Sequence, residues 1–207
     1  MATKRKVGNL LGLAVLCYLL QRPMHPYELS RTLRDNDDVR SIKFTHGSLY
    51  MVVGQLERAG FVAALQTSRD GARPERTVYA LTDAGRAELG DWLRDLVGDP
   101  KHEYPQFVAA LSLVAALPPD EVRTLLAQRL TRLAEQRAEI LGILDAATAQ
   151  GVPGLFLIEE EYRLALLDAE VSFVESFRDR ITDPHNDWSA LWADFHASRQ
   201  PPGGGQS

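Results

Sequence analysis

Ile42-Lys43-Phe44-Thr45-His46-Gly47-Ser48-Leu49-Tyr50 opens a short amphipathic segment that runs on through Met51-Val52-Val53-Gly54-Gln55-Leu56-Glu57-Arg58-Ala59-Gly60. Thr45 is a residue type that caps a helix by accepting from backbone amides, here those of Gly47 or Ser48. Gly60 suits the left-handed residue that closes one, so a helix is expected over residues 46–59. At helical spacing Leu49, Val52, Val53 and Leu56 fall on one side as a buried stripe. The other side carries His46, Gly47, Tyr50, Met51 and Gly54, with Ser48 and Gln55 at its borders. That face is small and polar enough to lie in the major groove of a duplex.

Working outward, Phe61-Val62-Ala63-Ala64-Leu65-Gln66-Thr67 and Arg76-Thr77-Val78-Tyr79-Ala80-Leu81 read as two strands. Arg69-Asp70-Gly71-Ala72-Arg73-Pro74 lies between them, which makes a hairpin with an arginine-rich turn. Upstream, Leu10, Leu13, Ala14, Cys17 and Leu20 or Leu16 put apolar groups all round a first helix, as suits an element held between its own domain and a second surface such as another subunit. Pro23 and Pro26 break the chain, and Pro26 fits the first turn of a second helix over 27–34, whose Tyr27, Leu29 and Leu33 are expected to pack inward. Downstream, Thr82 or Asp83 can cap a helix whose apolar side is Ala84, Ala87, Leu89, Trp92, Leu93 and Leu96. Three helices, a hairpin and a closing helix are the order of a winged helix-turn-helix, with 46–59 as the recognition helix and the hairpin as the wing.

The 207 residues carry a net charge of −5, which looks wrong for a nucleic-acid binder. The charge is unevenly spread. Residues 1–98 hold 14 Lys or Arg against 11 Asp or Glu, a balance of +3, whereas 99–207 hold 9 against 17, a balance of −8. Phosphate attraction follows the local field of the docking face, so a mildly basic half joined to an acidic one is compatible with DNA. The single cysteine, Cys17, excludes an intrachain disulfide and is expected to be a buried, inert thiol. Lys4-Arg5-Lys6 before an apolar run imitates a secretion signal, but no small-residue cleavage pattern follows Leu20, and the run is far short of the roughly 20 residues that cross a bilayer. A cytoplasmic protein is expected.

The second half reads as almost wholly helical. A linker over 98–105 precedes a short apolar helix over 107–116, and Pro118-Pro119 stops it. Asp120 is then expected to cap a long helix over 120–149 in which Val122, Leu126, Leu130, Leu133, Ile140 and Leu144 alternate steps of four and three, apart from polar Arg137. Gly151-Val152-Pro153-Gly154 turns the chain into another helix over 155–181 that presents Ile158, Tyr162, Ala165, Ala169, Phe173 and Phe177. A last short helix lies around 188–196. The resulting division is a winged helix-turn-helix domain over 1–98, an antiparallel helical domain over 99–200 and a disordered Pro-Gly tail over 201–207, in a mainly α chain.

Leu10-Leu11-Gly12-Leu13, His25-Pro26-Tyr27-Glu28-Leu29, Gly47-Ser48-Leu49-Tyr50, Leu56-Glu57 and Tyr79-Ala80-Leu81-Thr82-Asp83-Ala84-Gly85 together resemble the PadR family of bacterial transcriptional regulators. The motifs cover about the first 95 residues, and the helical second half is similar in pattern to the dimerisation domain of the family's longer members. One departure is Pro26, where the family usually has glycine; a proline is tolerated at a first helical turn. The resemblance implies a homodimeric DNA-binding regulator, usually a repressor relieved by a small ligand.

The DNA-contact candidates are Lys43, Thr45, His46, Ser48, Tyr50, Met51 and Gln55 around the recognition helix, Arg69, Arg73 and Arg76 in the wing, and Lys4 and Arg5 in a basic arm. Met51 can touch a thymine methyl and Gln55 can bridge to adenine, while wing guanidinium groups suit phosphates or a narrow minor groove. Each has a plainer reading: Tyr50 packed on the wing, Asp70 and Glu75 neutralising the wing arginines, the arm simply disordered. Two-fold related recognition helices about 34–36 Å apart predict a pseudo-palindromic operator. The dimer contact is assigned to Leu126, Leu130, Leu133, Ile140, Leu144, Ile158, Tyr162, Ala169 and Phe173. An effector is expected between the Trp92 helix and the C-terminal pair, where Phe107, Tyr162 and Phe173 offer aromatic surface or are ordinary core. No cofactor, metal site or enzyme activity is expected, since the five histidines are scattered and no zinc spacing, phosphate loop or nucleophile elbow accompanies them. The competing reading is a helical protein–protein adaptor that uses the acidic half and binds no specific DNA.

Overall fold

The computed structural model describes residues 5–68, 76–183, 185 and 188–197. The chain divides into two compact units, Met1–His102 and Glu103–Ser207, so the division falls within the expected linker.

In the first unit, α1 spans Leu10–Gln21, α2 Pro26–Asp35 and α3 His46–Arg58; strands β1, Val62–Ser68, and β2, Arg76–Leu81, follow, then α4, Asp83–Gly98. Each start is chemically marked. The Asn9 side chain accepts from Leu11 N at 2.9 Å, and Thr82 Oγ1 accepts from Gly85 N at 3.0 Å. At α2, His25 Nδ1 accepts from Tyr27 N at 3.0 Å while Glu28 Oε2 accepts from His25 N at 3.0 Å. Such caps satisfy amides that a helix start leaves unpaired. β1 and β2 pair antiparallel with Val62 opposite Leu81 and Leu65 opposite Val78, and the register shifts before Ser68 meets Arg76.

Leu11 and Leu16 of α1, Leu29 and Leu33 of α2, and Leu49 and Leu56 of α3 are fully buried in one core with Leu89 of α4. Burial of each such leucine stabilises the unit by about 1.5–3 kcal/mol before the entropy cost of ordering it. Two corrections follow from how this core is filled. Cys17 lies on the exposed side of α1, beside solvent-facing Leu10 and Leu20, because Ala14, Val15, Leu16 and Leu19 already supply the buried side. Tyr27 is 61% exposed rather than packed inward, because Leu29 and Leu33 fill the α2 contact.

A network of polar side chains ties α1 to the segment before α3. The Tyr18 hydroxyl donates to Asp38 and accepts from Asn36 Nδ2 at 2.8 Å. Burial, joined by the neighbouring Asp38 carboxylate, pushes the Tyr18 phenol up to about 12, and burial likewise raises the Asp38 carboxyl.

The second unit contains α5, Gln106–Ser112; a 3-10 turn, Val114–Ala116; α6, Pro119–Ala149; α7, Ile158–Thr182; and α8, Trp188–Ala197. Asp120 does not cap α6: Pro118 is the cap residue and Pro119 the first helical residue, a position where proline's missing N–H costs nothing. Asp120 and Glu121 instead occupy the first turn, where the helix dipole favours negative charge. Gly151, with φ +76°, turns the chain so that α6 and α7 run antiparallel. Val122, Leu126, Leu133, Val174, Phe177 and Ile181 form their common core, while Arg129 pairs with Glu170 and Arg137 with Asp168 at 2.7 Å. The polar break at Arg137 is therefore a cross-helix ion pair. Among the described residues no helix is long and apolar enough to cross a membrane, and no group of His, Cys, Asp and Glu is placed to hold a metal ion.

Candidate nucleic-acid interface

The start of α3 is held by reciprocal capping. Ser48 N donates to Thr45 Oγ1 at 3.1 Å, and Thr45 N donates to Ser48 Oγ at 2.8 Å; the Ser48 hydroxyl in turn donates to Thr45 O at 2.9 Å. Thr45 and Ser48, both DNA-contact candidates, thus spend hydrogen bonds on shaping the helix end. Ser48 has no proton left to offer a phosphate. Leu49, Val52, Val53 and Leu56 are all buried, which turns the opposite face outward. On it His46, Tyr50 (43% exposed) and Met51 (59% exposed) face solvent, while Gln55 at the border is half-buried. Lys43, just before the helix, is exposed and has no ion-pair partner among the described residues.

Tyr27 and His25 join this face from α2. His46 lies 5.0 Å from Tyr50 between ring centroids, His25 lies 6.4 Å from Tyr50, and Tyr27 lies 6.5 Å from His46. Exposed Tyr27, His46 and Tyr50 and half-buried His25 make one aromatic ridge across the N-terminal ends of α2 and α3. Sequence reading missed its α2 half. The cause is a backbone bridge in which Met24 and Tyr79 exchange N–H···O bonds of 3.0 Å each, pinning the entry of α2 to β2 and leaving the helix N-terminus, with Tyr27, at the surface. The His25-Pro26 start carried the signal, since a capping residue followed by Pro fixes where the first turn begins. Glu28 is held below its ordinary carboxylate value by the backbone hydrogen bond from His25, with the Arg22 charge assisting.

The end of α3 is equally fixed. Gly60 adopts φ +80°, and Thr82 Oγ1 lies 2.7 Å from Gly60 O and 3.0 Å from Phe61 O. The same residue caps α4. One threonine therefore joins the end of α3, the start of β1 and α4.

The basic candidates divide. Arg5 is withdrawn from any backbone-tracking arm: its guanidinium pairs with Glu88 at 2.8 Å and with Asp95 and lies 5.4 Å from the centre of the Trp92 ring. Two α4 carboxylates satisfy the charge that a phosphate would need, and buried Trp92 is covered by the same contact. Lys4, Arg69 and Arg73 lie outside the described residues, and so does the side chain of Arg76, whose backbone opens β2.

The expected dimer residues also divide. Leu126, Leu133 and Ile140 are buried within the single chain, and Leu130 packs against the same core, so the periodic seam of α6 is largely spent on intrachain packing. Leu144 is half-buried. Ile158 and Tyr162 of α7 are 61% and 65% exposed, and Ala169 and Phe173 are exposed further along the helix.

Capped α3 with its outward ridge, the α2 helix before it and the β1–β2 hairpin after it define a winged helix-turn-helix protein. Residues 15–91 match the transcriptional regulator PadR-like family. The chain is 34% identical over 86 residues to the probable transcriptional regulator Rv1176c of Mycobacterium tuberculosis, covering 40% of this chain and 42% of the relative. It is 25% identical over 111 residues to the negative transcriptional regulator PadR of Bacillus subtilis, covering 54% and 60%. The matches thus span less than two thirds of either relative. The fold extends further: the crystal structure of Bacillus subtilis PadR with operator DNA superposes with a TM-score of 0.65 at 22% identity, covering 83% of this chain and 97% of that one. The same protein with p-coumaric acid gives 0.67 at 20% identity, covering 88% and 99%.

Proposed function

We propose that the protein is a sequence-specific, homodimeric DNA-binding repressor whose operator is released by a small-molecule effector. The observation that carries this reading is the ridge of exposed Tyr27, His46 and Tyr50 with half-buried His25, formed where the start of α2 meets α3, whose Leu49, Val52, Val53 and Leu56 are buried on the other side. A docked major groove would give these groups base edges and phosphates to contact. Lys43, with Arg69, Arg73, Arg76 and Lys4, supplies the phosphate neutralisation in this reading. The operator complex of the Bacillus subtilis relative and its description as a negative regulator support the DNA and repressor roles, and its p-coumaric acid complex supports an effector.

Dimerisation follows from symmetry and surface. The exposed line Ile158, Tyr162, Leu166 and Phe173 on α7 is an apolar stripe of helical spacing suited to a second copy. A two-fold dimer presents two recognition helices to successive turns of the duplex, hence a pseudo-palindromic operator. Fluorescence anisotropy against the DNA upstream of the protein's own gene, titrated in salt with random duplex as competitor, tests this reading. Competitor-resistant binding that falls steeply with salt supports it; equal affinity for both duplexes favours a helical adaptor instead.

A further inference from the structure

We propose that His46 makes a proton-dependent contact to DNA: its ring takes up a proton as the duplex docks and holds a backbone phosphate as the imidazolium. This rests on the reading of the α3 face as the DNA-docking surface. It adds to that face a positive charge that the net charge of −5, counted with neutral histidines, leaves out.

The hydrogen bonds of the ridge single out this ring. The Ser48 hydroxyl already donates to Thr45 O, and His25 Nδ1 accepts from Tyr27 N, so a proton on that nitrogen would break the α2 cap. His46 is the first residue of α3, is exposed, and has no hydrogen bond or ion pair among the described residues. Its contacts are with rings, Tyr50 at 5.0 Å and Tyr27 at 6.5 Å between centroids. Both imidazole nitrogens are therefore open to a ligand, and both donate once the ring is protonated.

The surrounding charges set the direction. Lys43, three residues earlier, is exposed and positive, and the positive end of the α3 dipole lies at the His46 backbone. Both disfavour an imidazolium in the free protein, while the Tyr50 ring within 6 Å offsets part of that cost. On α2, Glu28 accepts from His25 N at 3.0 Å and stands 3.5 Å from Arg22, so its carboxylate is committed elsewhere. The negative partner that holds the proton on His46 thus arrives with the duplex, as a phosphate oxygen in a charge-assisted hydrogen bond. Histidine is the side chain whose charge changes between about pH 5 and 8. Because the complex binds the proton more tightly than the free protein does, affinity rises as pH falls from about 8 and levels off once the free ring is itself protonated.

The test is fluorescence anisotropy of the full-length protein and of His46→Gln on a duplex that the protein has enriched from a random pool. Each is titrated across a salt series at about pH 6 and about pH 8, with circular dichroism and light scattering to verify fold and oligomeric state. Binding is expected to be about tenfold tighter at the lower pH for each His46 engaged. The slope of log affinity against log salt should steepen there by about 0.9 for each phosphate so neutralised. His46→Gln should bind equally at both pH values with one common slope. Affinity that does not change with pH, a pH difference that survives His46→Gln, or a pH difference without a change of salt slope overturns the proposal. A pool that yields no enriched duplex strikes the DNA reading and this proposal with it, whereas an enriched duplex bound equally at both pH values strikes the proposal alone.

Discussion

At the scale of the residue, Gly85 is the tightest of the described glycines: a Cβ there would sit 2.0 Å from Phe61 O and 2.8 Å from a Leu81 methyl. Neither the strand start nor the α4 cap can yield without breaking the Thr82 corner. Gly85→Ala should therefore destabilise the protein by about 2–3 kcal/mol, read from the urea midpoint. Tyr50 and Met51 make the opposite case, because they touch little of the core. Tyr50→Ala and Met51→Ala should each weaken operator binding by about tenfold in anisotropy while the urea midpoint moves by no more than about 0.5 kcal/mol. Glu28 links a residue to pH. Its folded carboxyl is depressed by the His25 amide, so the stability it contributes is present above its ordinary value near 4.5 and lost as pH falls below it. Glu28→Gln should flatten the acid limb of a stability–pH curve measured by urea unfolding, leaving the limb above pH 6 with its original slope.

At the scale of the element, α3 was the most legible helix. Thr45, the Leu49, Val52, Val53 and Leu56 stripe, and Gly60 are local signals, and each acts in the fold as chain chemistry requires. Thr82 and the two strands were legible for the same reason. Tyr27 was not, because a bridge between Met24 and Tyr79, distant in sequence, decides which way α2 faces. Arg5 was misplaced because a basic tripeptide reads as an arm until Glu88 and Asp95, some 83 and 90 residues away, are brought beneath it. The α6 seam shows a further limit: periodicity says that Leu126 and Leu133 are buried but not whether the partner is α7 of the same chain or a second copy. Thr82 gives the element-level prediction. Thr82→Ala should cost about 1–2 kcal/mol through loss of the α4 cap and of the bonds to Gly60 and Phe61, and Thr82→Ser should recover most of it in the same urea assay.

At the scale of the whole molecule, the proposed function assigns DNA docking to the α3 face of the first unit and self-association to the exposed apolar stripe of α7 in the second. Ile158→Glu with Tyr162→Glu should convert a dimer to a monomer in light scattering while circular dichroism keeps its helical signal. Leu133→Glu should instead unfold the second unit, since it buries an unpaired charge in the α6–α7 core. The measurement that tests the central claim most directly is repeated selection of bound duplexes from a random pool by the full-length protein. Enrichment of a two-fold symmetric sequence, its half-sites centred about one helical turn apart and lost in Tyr50→Ala, is the predicted result. A pool that stays random through successive rounds, or enriches equally with Tyr50→Ala, contradicts recognition through the α3 ridge.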